Sequence, residues 1–322
     1  MASSNFSYAS VYALLLCSAS LVNAEQISFK KEKDGDDYIF NYQWLNKVEQ
    51  SQELAFSMNQ ESLFEEFRDF KTYKSDIAQQ SIQQAIAFRL RKKPIKGVRI
   101  SFQKQGEQYR LKLIGRKDED IQNAEQQIAK IRHEETNRYF EENYYHRFTT
   151  HDLQYGIKPD HVRIANLSVD DLKPLKDIFL SKFSIQNVRN ATDYTLSFVQ
   201  SIPYSTLESR LSSSGAGFNP PAQVIWQNQG DCDSKVTLTA ALLRMLMPRI
   251  KMVLVFIDQH ALIGIEAPVQ AGDEHIIVNE VTYVLAEPTG PRQMTLGEIA
   301  QSSSLAINSG HYVAEEFHEI VE

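Results

Sequence analysis

Cys232 stands in Gln229-Gly230-Asp231-Cys232-Asp233-Ser234-Lys235, with small and polar residues before it and a helical pattern directly after it. That spacing puts the thiol at a helix N-terminus, where backbone N–H groups and the helix dipole favour negative charge. A thiol attacks as its thiolate, so the position suits a nucleophile. Two further groups follow in an order that serves it. His260, in Asp258-Gln259-His260-Ala261, stands at the mouth of a strand-like run and can act as general base. Glu287, in Leu285-Ala286-Glu287-Pro288-Thr289, closes the last strand-like run and can hold the imidazole in one tautomer. The chemistry this order offers is acyl transfer through a thioester.

The elements that must position these groups are readable on both sides of the cysteine. Val236 to Met247 is too uniformly apolar to be exposed, so it reads as a central helix. Four β-rich runs follow, at Lys251 to Ile257, Ala261 to Ile265, Ile276 to Val278 and Thr282 to Glu287. Together they predict a central helix on an antiparallel sheet. Upstream, Asp193 to Ser201 reads as a helix, followed by a Ser/Gly/Pro-rich loop from Ser212 to Pro221. Residues 25–176 read as a smaller α+β domain. It has a strand at Tyr38, Phe40 and Tyr42, helix from Gln60 to Leu90, a hairpin turning at Gln105-Gly106, and a long helix from Asp118 to Tyr145. Its aromatic run Tyr139 to Phe148 is expected to be helix packing, and nothing in it has the look of a reaction centre. Lys158-Pro159-Asp160 and Lys173-Pro174 mark a connector, which places the second domain at 177–322.

Gly230-Asp231-Cys232-Asp233-Ser234-Lys235 with Leu238-Thr239-Ala240-Ala241-Leu242-Leu243-Arg244 resembles the nucleophile helix of the transglutaminase-like (papain-like) superfamily. Asp258-Gln259-His260-Ala261 and Glu287-Pro288-Thr289 match the order of its next two motifs, and Phe198 to Tyr204 looks like the helix that precedes its core. The resemblance covers about residues 178–305. It implies a papain/transglutaminase-like core with Cys232 as nucleophile, His260 as base and acid, and Glu287 as the orienting acid. The family more often has Asp at the last position, and Glu287 is one methylene longer. An oxyanion hole would use the Cys232 backbone N–H and one upstream donor, for which Trp226, Gln227 and Gln229 are the candidates. Bacterial relatives of this kind resemble cysteine peptidases or amidases. Isopeptide-forming transglutaminases and inactive binding scaffolds of the same fold are the alternatives.

Met1 to Ala24 carry no charged side chain, hold the short apolar core Val11 to Leu16, and end in Val22-Asn23-Ala24. This predicts a signal peptide at 1–24 and a periplasmic or secreted protein. Cys17 leaves with it, so Cys232 remains as a single unpaired thiol in an oxidising compartment. The mature chain of roughly 300 residues exceeds the usual single domain, and no further apolar run is long enough to span a membrane. A net charge of −7 argues against nucleic acid as a partner. A protein or peptide of the cell envelope is the expected substrate. The basic stretch Arg89, Arg91, Lys92, Lys93, Lys96 and Arg99 reads as a solvated helix end. No metal site is expected. Cys232, His260 and His275 lack the paired spacing of zinc sites, and helix capping accounts for Asp231 and Asp233, although with Asp258 they offer oxygens for Ca2+. His275 reads as a turn residue, and His311 and His318 as parts of a solvated tail.

Overall fold

The computed structural model describes residues 26–105, 108–183, 187–208 and 217–317; the predicted leader, the Gly106 of the hairpin turn, residues 212–216 of the loop and His318 lie outside them. The chain opens with a three-stranded antiparallel meander, β1 (Gln26–Asp34), β2 (Asp37–Leu45) and β3 (Ser51–Asn59). Period-two alternation buries Phe40, Tyr42 and Trp44 of β2 with Leu54, Phe56 and Met58 of β3 on one face. A short helix α1 (Gln60–Phe64) follows.

Helix α2 (Ser75–Lys92), the hairpin β4 (Val98–Gln105) and β5 (Gln108–Gly115), and helix α3 (Asp118–Glu142) then form a satellite around Ile86, Leu90, Ile95, Ala124 and Ile128. Ile100 faces Leu113 and Phe102 faces Leu111, the pairing that the alternation predicts. The basic stretch lies at the end of α2, where Arg89 pairs with Glu134 and Glu135 of α3.

Helix α3 stops at Glu142, short of the predicted Tyr145. Asn143 caps it by donating from its side chain to the Tyr139 carbonyl at 2.7 Å, and Tyr144 turns the chain at a positive φ of 59°. The aromatic run therefore leaves the helix and enters a second hairpin, β6 (Tyr145–Thr149) with β7 (Tyr155–Pro159). The expected connector is likewise ordered. Asp160 caps helix α4 (His161–Leu172) by accepting from the Arg163 N–H at 3.0 Å, and a turn at Lys173–Leu175 leads into α5 (Lys176–Leu180).

Helices α6 (Val188–Ser201) and α7 (Pro221–Gln227) lead to α8 (Cys232–Leu246), buried from Ser234 to its end. Against it pack α4, α6, α7 and β9 (His260–Glu266), which lies among the antiparallel strands β8 (Met252–Ile257), β10 (His275–Val278) and β11 (Val281–Ala286). Helix α9 (Gln301–Asn308) and strand β12 (Val313–Glu316) follow, and the sheet order is β10-β11-β9-β8-β12. The segment expected to be a solvated tail thus supplies an edge strand, with Val313 opposite Phe256. The fold is mixed α+β, with a central helix against an antiparallel sheet. Its main core does not stop at Asp177: the β2–β3 aromatics, Leu172, Leu175, Phe198 and the α8 side chains form one buried cluster. Tyr42 donates to the Ile225 carbonyl and Trp44 to the Ser197 hydroxyl, both at 2.9 Å, which ties the first sheet to α7 and α6. Among the described residues no helix is long and apolar enough to cross a membrane.

Candidate active site

Cys232 is the first residue of α8, because Asp231 caps the helix by accepting from the Ser234 N–H at 2.9 Å. His260 is the first residue of β9, after a tight turn in which Gln259 has a positive φ of 57°. Glu287 follows directly on β11, the neighbour of β9 in the sheet. Helix start and strand ends therefore meet at one edge of the sheet.

There the three side chains form a continuous relay. His260 Nδ1 lies 2.9 Å from Cys232 Sγ, and His260 Nε2 lies 2.7 Å from Glu287 Oε1. The second oxygen, Glu287 Oε2, accepts from the Ala300 N–H at 2.8 Å and from the Ser303 hydroxyl at 3.3 Å. The longer side chain of Glu is thus held at both oxygens. Burial alone would push the Glu287 carboxyl up, but the bonds from His260, Ala300 and Ser303 outweigh it and hold it below the ordinary range. An ionised Glu287 accepts, so Nε2 carries a proton and Nδ1 faces the thiol. Burial pulls the His260 imidazole down, yet hydrogen bonds and charge from Cys232 and Glu287 reverse this and raise it to about 10. The imidazole is thus held between the thiol on one side and the carboxylate on the other.

The thiol opens into a cleft of about 390 Å³. Its lining includes Asp231, Asp233, Asp258 and Gln259 together with Phe148, Thr150, His151 and Lys158 of the β6–β7 region. The first half of the chain, expected to be free of reaction-centre residues, thus supplies part of the cleft lining. Lys158 pairs with Glu315 at 2.8 Å and lies over the Phe256 ring. Below Asp233, His161 is fully buried and accordingly pressed far below its ordinary range, with Nδ1 3.2 Å from the Thr237 hydroxyl.

Tyr204, which no motif singled out as a site residue, also lines the cleft. Gly230 pins its backbone: the Gly230 N–H donates to the Pro203 carbonyl at 3.2 Å, and the Ser205 N–H to the Gly230 carbonyl at 3.1 Å. Its ring is 52 % exposed, while its hydroxyl interacts with Cys232. Burial of the hydroxyl and then the neighbouring Cys232, Asp231 and Asp233 raise its ionisation, so it remains a donor at neutral pH.

The three upstream donor candidates do not line this cleft. Trp226 packs edge-on against Tyr38 and Phe64, with Lys31 over its ring. Gln227 accepts from Asn219 at 3.0 Å, and Gln229 donates to Gln227 at 3.3 Å. Of the residues weighed as metal ligands, Asp231 is occupied as a cap and His275 sits on the edge strand β10, beside the Asp273 carbonyl. Among the described residues, no group of three or more His, Cys, Asp or Glu side chains is placed to hold a metal ion.

Compared with known families, with curated proteins and with solved structures, the chain finds no match.

Proposed function

We propose that the chain is an exported thiol-dependent acyl-transfer enzyme with a papain/transglutaminase-like core, acting as a cysteine peptidase or amidase on a protein or peptide of the cell envelope. The observation that carries this reading is the unbroken relay from Cys232 through His260 to Glu287, with steps of 2.9 and 2.7 Å. In the proposed reaction the Cys232 thiolate attacks an amide carbonyl. The imidazolium gives its Nδ1 proton to the leaving nitrogen as the C–N bond breaks, and a thioester remains. His260 then takes a proton from water, which attacks the thioester and releases the acid and the free thiol. Negative charge on the tetrahedral oxygen would be met by the Cys232 N–H at the helix start and by the Tyr204 hydroxyl, a side-chain donor among the residues that line the cleft.

The deciding experiment is digestion of an envelope-protein extract in ¹⁸O-water with an added primary amine, read by mass spectrometry. New peptide C-termini carrying ¹⁸O, absent with Cys232→Ala, are the expected result. Amine adducts in their place would move the reading to a transglutaminase. Wild-type and Cys232→Ala digests that cannot be told apart, together with no selective labelling by a thiol-reactive probe, would leave a scaffold.

A further inference from the structure

Lys235 lies on the first turn of α8, three residues after the thiol, and is fully buried. Its ammonium donates to the Thr289 carbonyl at 2.5 Å, and among the described residues no carboxylate forms an ion pair with it. A buried ammonium without a carboxylate partner is costly, and proteins seldom keep one without use. Helix geometry sets positions i and i+3 as neighbours, about 5–6 Å apart at Cβ, so Lys235 and Cys232 lie on one side of the first turn of α8. The relay supplies an opposing charge. Thiolate, imidazolium and carboxylate together carry one net negative charge, and Lys235 supplies the missing positive one.

We infer that Lys235 is the buried counter-charge of the Cys232 thiolate, a positioning residue that also pins α8 to the segment carrying Glu287. Several observations converge on this. Burial outweighs the opposing pull of Cys232 and leaves the Lys235 ammonium lowered to about 7. Of the other titratable groups around the thiol, Asp231 and Asp233 are raised, chiefly by burial, and as carboxylates they cannot supply the positive charge that a thiolate needs. His260 and Glu287 are already committed to each other. The backbone also makes room for the lysine: a Cβ on Gly230 would come within 3.3 Å of Lys235 Cγ.

The inference rests on the thiolate reading above, and its test keeps the two apart. The rate of iodoacetamide labelling at Cys232 is followed from pH 4 to 9, with the modified peptide identified by mass spectrometry, beside thermal melting. Lys235→Met is expected to move the acid limb of the profile up by about one pH unit, roughly tenfold slower labelling on that limb. Its melting temperature should be unchanged or raised, since an apolar side chain of similar size replaces a buried charge. Lys235→Arg should keep the wild-type profile. If Lys235→Met does not fold, Lys235→Gln takes its place in the comparison. A superimposable profile, with fast wild-type labelling and a lowered melting temperature, overturns the inference and leaves a structural pin. A wild-type thiol that labels only as an ordinary cysteine would overturn the thiolate reading itself.

Discussion

His260 is gripped from both sides of its ring, and each grip has a different consequence when removed. Glu287→Gln keeps the size of the side chain but removes the charge that stabilises the imidazolium. We expect kcat to fall by roughly 10²–10⁴ and the melting temperature at neutral pH to drop, as steady-state kinetics and calorimetry would record. The pH profile carries the same signature. Because the folded-state ionisation of His260 is raised to about 10, the proton needed by the leaving nitrogen is retained up to that pH. The alkaline limb of kcat/KM should therefore lie near 10, well above the ordinary imidazole range. The stability this pair contributes is fully present below the unfolded imidazole value and is lost as pH rises through about 10. An alkaline limb near 6.5 would show that the ion pair does not form. The relay was legible because a helix followed by antiparallel strands brings its first residue and the strand ends together. Tyr204 was not, since it entered only as the end of the stretch that resembles the helix before the core, and one aromatic there carries no catalytic signal. Lys235 reads as an ordinary surface lysine until the helix around it is seen to be buried.

At the scale of elements, the segment after β11 decides whether Glu287 stays in place. Gln200 of α6 holds it from below, donating to the Glu287 and Met294 carbonyls at 2.9 Å and accepting from the Met294 N–H at 3.1 Å. Asp193 accepts from the Leu296 N–H at 2.7 Å. Gly290 lies flat on this strut, with a φ of 66° and its missing Cβ only 2.5 Å from the Gln200 carbonyl oxygen. Gly290→Ala therefore meets both backbone strain and a fixed atom. We expect a loss of roughly 1–3 kcal/mol in denaturant unfolding, with reduced turnover because Glu287 moves with the segment. The β6–β7 hairpin escaped prediction for a related reason. Its strands are only five residues long and show no clean alternation of apolar and polar residues, and the break from α3 comes from Asn143 and Tyr144 rather than from Gly or Pro. Trp226 misled in the opposite direction. Its place just before the motif suggested a cleft residue, whereas tertiary packing claims it for the aromatic face of the first sheet.

Over the whole molecule, one core serves both halves of the chain. The β2 and β3 side chains cover the same α6 and α7 surfaces on which α8 rests. A fragment of residues 177–322 would expose Phe198 and its neighbours, and it would lose the cleft lining supplied by Phe148 and Lys158. We expect that fragment to lack a cooperative urea transition and to aggregate. The intact chain should unfold with coincident transitions by tryptophan fluorescence and far-ultraviolet circular dichroism, because Trp44 and Trp226 both report on the shared core. Two separate transitions would count against a single packed unit. The boundary at Asp177 looked natural because composition and turn residues change there, but turn residues mark where the chain bends and say little about which faces are buried together.

The orientation of one ring has a last consequence. With Nε2 committed to Glu287 and Nδ1 to the thiol, His260 cannot turn over without breaking both bonds. In the proposed reaction its proton is then offered from one side of the attacked carbonyl only. A substrate is cleaved only when its leaving nitrogen is bound on that side, so the site selects the face of the carbonyl that is attacked.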